Sequence, residues 1–205
     1  MSVSVATVAA VLLAAGEASR FGAAKQCLPI AGVPMVRRVA EIVTAAGAWP
    51  VVVVTGEHAA DVIHGLSDLD VHIRHNDEWA QGMGRSLAVG TTALAGLAPD
   101  AAIMVLLADQ PAVRIEDLHR LLEAHAQTPE RIVASRYEGH QGPPCVFPRE
   151  FAAELQALSG RQGALPLLER HADRVMAIDM PRAAIDIDTP ADFAAWLAGE
   201  ASRDA

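Results

Sequence analysis

Leu12-Leu13-Ala14-Ala15-Gly16-Glu17-Ala18-Ser19-Arg20-Phe21-Gly22-Ala23-Ala24-Lys25-Gln26 sets a glycine loop with two cations directly after an apolar, strand-like run. A polyphosphate needs backbone N–H groups that can come close, which small residues permit, and fixed positive charge for its phosphoryl oxygens. Gly16 and Gly22 supply the approach, and Arg20 and Lys25 supply the charge. Lys25 stands three residues past Gly22 and is followed by Gln26, so the consecutive Gly-Lys-Ser/Thr of a P-loop is absent. The glycines are six apart, which also removes the GxGxxG dinucleotide fingerprint. A loop of this kind is either a triphosphate cradle or an ordinary strand-to-helix turn with solvated Arg and Lys, and the rest of the chain decides between them.

Outward from the loop, apolar runs at 8–14, 51–54, 101–107, 131–135 and 175–178 read as strands. The central ones do not alternate, as expected of strands buried on both faces of a parallel sheet. Helical spacing runs from Val36 to Ala46 after Pro34, and from Ile115 to Ala126 with Leu118, Leu121 and Leu122 on one face. A third helix spans Ala191 to Ala198 after Thr189-Pro190, an N-cap followed by proline at the first helical position. Alternating strands and helices give right-handed βαβ units, hence an α/β, three-layer, doubly wound and mostly parallel sheet of Rossmann-like form. In such folds ligands lie beyond the carboxyl ends of the strands, where the 15–25 loop and Asp109 fall. Between Arg136 and Gly163 glycines and prolines break the period around Cys145-Val146-Phe147, which reads as a small hairpin or lid insertion near an acceptor. Residues 1–198 are expected to form one domain, with 199–205 a frayed tail.

The 205 residues, 52% of them hydrophobic, suffice for a core without staples. A net charge of −9 with no Lys/Arg run gives no footprint for nucleic acid. Cys27 and Cys145 build neither a disulfide framework nor a zinc site, so a reducing cytoplasm is expected. The segment from Met1 to Leu13 lacks a basic leader and reads as the first core strand, and no run approaches the roughly 18 apolar residues of a membrane span. The eight histidines include no HExxH, which excludes a zincin pattern, and no serine lies in GxSxG.

Asp109 leaves a carboxylate at the mouth of the strand that ends at Leu107. It either caps the following turn or belongs to the shell of Mg²⁺, an ion usually held by one or two carboxylates together with substrate phosphates. Asp186-Ile187-Asp188 puts two carboxylates on one side of an extended segment ahead of a helix, where Asp188 or Thr189 can equally serve as N-cap. Gly82-Met83-Gly84-Arg85-Ser86 is open to two readings as well: a helix-start loop capped by Ser86, or a site where glycines admit a flat ring.

Four segments in order decide. Leu-Ala-Ala-Gly-x3-Arg-Phe-Gly-x2-Lys with Leu28-Pro29 and Gly32-Val33-Pro34-Met35, the Asn76–Leu87 stretch, Leu107-Ala108-Asp109-Gln110-Pro111 with Gly142-Pro143-Pro144, and Asp186-Ile187-Asp188-Thr189-Pro190 together resemble the MobA-like nucleotidyltransferases. The likeness is strongest to the branch that transfers CMP from CTP to molybdopterin, since Ala14-Ala15-Gly16 stands where the guanylyl branch shows Ala-Gly-Gly. The resemblance implies a cytoplasmic, Mg²⁺-dependent enzyme in which Lys25 and Arg20 are catalytic. Leu13, Ala14, Ala15, Gly16, Gly22 and Lys25 hold the nucleotide, and Asn76, Gly82, Gly84 and Ser86 lie toward its base. Asp109 and Asp188, with Asp186 second to Asp188, bind the metal, while His140, Gly142 and Pro143 face the acceptor. A molybdenum hydroxylase is the implied partner; nucleic acid and membrane are not. The branch's Gly-Asp-x-Gly-Ala-Arg is here Gly160-Arg161-Gln162-Gly163-Ala164-Leu165, which opens the way to another phosphorylated acceptor such as a sugar phosphate. A non-catalytic molybdopterin- or nucleotide-binding maturation chaperone is the remaining alternative, one that has no need of a metal for a leaving group.

Overall fold

The computed structural model describes residues 7–16 and 24–201; Arg20 and Gly22 lie outside the described residues. Strand β1 (Val8–Ala14) is buried along its whole length. Its alternation splits the core in two, because successive side chains leave opposite faces of a strand. Ala10 and Leu12 join one apolar cluster and Ala9, Val11 and Leu13 the other.

The chain continues through the two-residue strands β2 (Pro29–Ile30) and β3 (Val33–Pro34), then α1 (Met35–Ala45), β4 (Val51–Thr55), α2 (Ala59–Gly65) and β5 (His72–His75). Next come α3 (Met83–Leu97), β6 (Ala102–Leu107), α4 (Ile115–Gln127), β7 (Ile132–Tyr137) and β8 (His140–Phe147). It closes with α5 (Ala152–Gln156), α6 (Leu165–Arg170), β9 (Val175–Asp179) and α7 (Pro190–Ala201), which runs past the expected end at Ala198. The main sheet has seven strands in the order β5-β4-β1-β6-β8-β7-β9. All neighbours are parallel except β8, which is antiparallel to both β6 and β7. The expected three-layer, mostly parallel α/β architecture is therefore present.

Helices α1, α2 and α4 cover one face through Val39, Val43, Val62, Leu118 and Leu121. Helices α3, α5 and α6 cover the other through Leu87, Leu94, Leu155, Leu167 and Leu168. Helix α3 presses closest: a Cβ at Gly90 would lie 2.5 Å from Val11 and 2.8 Å from Val54 side chains. The hairpin expected after Arg136 is β7–β8, and it is built into the sheet. Its turn carries Glu138 and Gly139 at positive φ, and Cys145-Val146-Phe147 forms the buried end of β8 against β6.

Chain direction reverses its lateral course between β1, which leads outward to β4 and β5, and β6. That switch point opens a crevice beyond the strand ends. Ala15 and Gly16, directly after β1, and Ala108 and Asp109, directly after β6, border it.

Candidate active site

The crevice holds a cavity of about 390 Å³. One wall comes from the ends of β1 and β6: Leu13, Ala15, Gly16, Leu107, Ala108 and Asp109. After the loop, a 3-10 turn over Lys25–Cys27 returns the chain to this wall. Gln26 secures the return, its buried amide donating to the Gly16 carbonyl at 3.0 Å. Lys25 is 8% exposed, and its Nζ lies 2.8 Å from Asp109 Oδ2 and 2.5 Å from Asp188 Oδ1. Burial alone would lower the ammonium's pKa, but the charges and hydrogen bonds of the two carboxylates more than offset it, and the net shift is upward.

Two further bonds bring the acidic segments together. The Asp109 carbonyl accepts from the Ile187 N–H at 3.0 Å, and Ile187 is itself buried against Ile30 and Met35. Asp192 Oδ2 accepts from the Thr189 N–H at 2.7 Å and from the Asp188 N–H at 3.2 Å, while the Asp192 N–H donates to Thr189 Oγ1. Thr189 is thus the N-cap of α7, and the carboxylate of Asp188 is left for Lys25. Among the described residues Asp109 makes no side-chain turn cap: Oδ2 faces Lys25, and Oδ1 is buried with no hydrogen-bond partner. Burial and the like charges of Asp109 and Asp188 raise the pKa of Asp186.

These residues fit a divalent cation. An orphaned carboxylate oxygen and a third carboxyl crowded by its neighbours are what a cluster short of positive charge shows. Among the described residues no group of three or more His, Cys, Asp or Glu is gathered around one point; Mg²⁺ usually takes one or two protein carboxylates together with substrate phosphates.

The opposite wall follows β5. The Asn76 N–H donates to the Thr55 carbonyl at 2.9 Å, and its side chain is 2% exposed. Asn76 Oδ1 accepts from the Glu78 N–H, which orients the amide so that Nδ2 donates to Ser86 Oγ at 3.0 Å. Ser86 lies inside the first turns of α3 and caps nothing; α3 begins after Gly82 with no side-chain cap. Gly82, Met83 and Ser86 reach the cavity together with Trp79, Ala80 and Arg161. Gly84 faces away, against the 159–160 turn: a Cβ there would meet the Ser159 carbonyl oxygen at 2.5 Å, and its N–H donates to the Gly160 carbonyl.

The structure therefore brings Leu13, Ala15, Gly16, Lys25, Gly82, Ser86, Asp109, Asp186 and Asp188 to one cavity, with Ala14 and Asn76 buried behind it. His140, Gly142 and Pro143 do not line it. They sit on β8, where exposed His140 stands edge-on to Tyr137, Gly142 packs under the Tyr137 hydroxyl, and the Pro143 carbonyl accepts from Gln110. Gln26, Trp79, Met83 and Arg161 were not singled out as site residues from the sequence, although all four lie in or beside the quoted segments.

A family model described as MobA-like NTP transferase domain matches residues 10–175. The chain is 34% identical over 137 residues to the nicotine blue oxidoreductase of Paenarthrobacter nicotinovorans, covering 66% of this chain and 65% of that protein. It is 32% identical over 123 residues to the bifunctional protein GlmU of Geobacter sulfurreducens, covering 58% of this chain and only 25% of GlmU. Rv0371c from Mycobacterium tuberculosis superposes with a TM-score of 0.73 at 29% identity, over 93% of this chain and 98% of that one. A second structure of Rv0371c, described as a complex with manganese, gives 0.71 at 27% identity, over 94% and 98%.

Proposed function

Because the chain belongs to the MobA-like NTP transferase family, we propose that it moves CMP from CTP onto molybdopterin, or onto another phosphorylated small molecule, with release of pyrophosphate. The observation that carries this reading is the buried Lys25 ammonium held between Asp109 and Asp188 at the strand ends, in a cavity open to a nucleotide. The reading takes residues 1–198 as one catalytic unit acting in the cytoplasm, with a molybdenum hydroxylase as the eventual recipient of the product.

Nucleotidyl transfer asks little covalent chemistry of a protein; positioning and charge stabilisation carry the rate. An acceptor phosphate oxygen attacks the α-phosphorus in line, and the bond to the oxygen bridging to the β-phosphate breaks. Lys25 spans the α-phosphate and the incoming oxygen, the Ala15–Gly16 amides border the phosphates, and Arg20 is assigned the β- and γ-phosphates. Asp109 and Asp188, with Asp186 beside them, would hold a divalent cation, Mg²⁺ in this reading, which would supply positive charge to the phosphates. The structural neighbour described as a manganese complex supports a divalent ion. On the other wall Asn76 sets the Ser86 hydroxyl, and Gly82 leaves room for the base.

The likeness to nicotine blue oxidoreductase favours a second reading, a redox enzyme on this fold. Such chemistry gives no use to a lysine clamped by two carboxylates. The test supplies CTP, GTP, ATP and UTP separately with Mg²⁺ and molybdopterin, measures pyrophosphate, and weighs the products. Pyrophosphate with a molybdopterin cytosine dinucleotide from CTP supports the reading. No pyrophosphate from any nucleotide with molybdopterin, despite measurable Mg-CTP binding, removes molybdopterin as the acceptor; the same silence with sugar phosphates overturns the reading in favour of the chaperone.

A further inference from the structure

Lys25 is the chain's single lysine, every other side-chain cation of the 16 being arginine. It occupies an unusual place. Its ammonium lies within 2.8 Å of Asp109 Oδ2 and 2.5 Å of Asp188 Oδ1, the two carboxylates assigned to the metal. A lysine head is a compact point charge on a flexible stem, whereas a guanidinium is a planar fork. A lysine can therefore stand between two carboxylates as a single point of charge and leave on its flexible stem.

We propose that Lys25 holds the place of the divalent cation in the metal-free protein, so that arrival of the cation and release of Lys25 toward the phosphates are one coupled exchange. Three features converge on it. The ammonium already satisfies one oxygen of each metal-binding carboxylate. Asp109 Oδ1 is left buried without a partner among the described residues, so the lysine fills the cation's place incompletely. Both neighbours are anchored through backbone, Asp109 by the Ile187 N–H and Asp188 through the Thr189–Asp192 cap, so the lysine stem is the mobile member. Two cations cannot share these oxygens without strong repulsion at such distances. Metal and lysine therefore compete for one position, and a nucleotide that offers Lys25 a second anionic berth favours the exchange. The consequence is ordering: the cation binds weakly alone and tightly with nucleotide, and Lys25 reaches the α-phosphate only when the cation is in place.

This inference rests on the nucleotidyl-transfer reading for the identity of the ion, but its test needs no turnover. Mn²⁺ binding to the nucleotide-free protein is measured by electron paramagnetic resonance of the free ion, for the native chain and Lys25→Met. Coupling free energies of the usual size predict that Lys25→Met binds Mn²⁺ about 10-fold tighter or more. A positive charge that merely stood nearby would also weaken metal binding, so a second measurement follows the lysine itself. Lysine labelled with ¹³C at Cε gives a single side-chain resonance in this chain, and Mg²⁺ alone should shift and narrow it toward a free lysine. Asp109→Asn should give the narrowed resonance without metal. The proposal is overturned if Lys25→Met leaves Mn²⁺ affinity unchanged, or if the lysine resonance keeps its paired position while Mg²⁺ binds. Because neither measurement uses an acceptor, exchange without transfer would sink the functional reading alone, and transfer without exchange would sink this one.

Discussion

Lys25 concentrates the account at the scale of the residue. If it bridges the α-phosphate and the acceptor in the transition state, Lys25→Ala should depress kcat by about 100-fold or more while the CTP dissociation constant moves only a few-fold, since removing one preorganised charge typically costs that much. Steady-state kinetics beside calorimetric CTP binding checks the split; equal losses in both would make Lys25 a plain binding residue. Tyr137, the only tyrosine, offers a cleaner electrostatic readout. Burial is the main force pushing its pKa up, to about 12, against a lesser opposing hydrogen bond from Gln110. The folded state then holds the phenol proton more tightly than the unfolded chain. Stability from this group is intact below pH ~10 and falls as pH rises from there toward 12. Phenolate absorbance at 295 nm should titrate near 12 in the native protein and near 10 in urea. The sequence made Lys25 legible as a cation of the glycine loop, and Asp109 and Asp188 because one stands just past an apolar run and the other before a helix cap. It did not mark Trp79 or Arg161, whose place in the cavity depends on how the Trp79–Gln81 turn and the 159–163 loop pack against α3.

Element by element, continuous apolar runs made β1, β4, β6 and the start of β7 readable, because strands buried on both faces carry no polar alternation. Edge strand β9 was readable from its apolar Val-Met-Ala-Ile run alone, though only Val175 in it is buried. Strand β5 escaped notice: it is an edge strand reading His-Ile-Arg-His, with only one apolar side chain. Strand β8 was half hidden by Gly142-Pro143-Pro144, residues that usually end a strand. Helix α3 was obscured by its glycines, of which Gly90 is required by close packing. With Val11 and Val54 side chains already within 2.8 Å of an added Cβ, Gly90→Ala should destabilise the fold despite alanine's better helix propensity. Overpacking of this kind costs about 1–3 kcal/mol, readable as a lower urea midpoint at unchanged m-value. Thr189→Ala removes the α7 cap and loosens the backbone that presents Asp188. It should cost roughly 1 kcal/mol of stability by thermal unfolding and also weaken Mg²⁺ dependence of turnover, whereas a cap at a distance from the metal would show only the first.

For the molecule as a whole, the sheet gathers Ala15–Gly16 after β1, Ala108–Asp109 after β6 and the Asp186–Asp188 segment beyond its strand ends, so the site exists only when both halves of the sheet are assembled. Saturating Mg-CTP, at about 100 times its dissociation constant, should therefore stabilise the whole cooperative unit by about 2.7 kcal/mol, a rise of several degrees in Tm that EDTA largely removes. That the α/β class was legible and the full cavity lining was not has one cause: strand cores are written in local hydrophobicity, whereas the cavity is lined by residues as far apart in sequence as Leu13, Trp79, Asp109, Arg161 and Asp188. The most direct test of nucleotidyl transfer follows the phosphorus. Enzyme, Mg²⁺ and molybdopterin are incubated with CTP labelled at the α-phosphate, and in parallel with CTP labelled at the γ-phosphate. The account predicts α-label on the acceptor and γ-label in pyrophosphate; γ-label on the acceptor, or its release as orthophosphate alone, would contradict it.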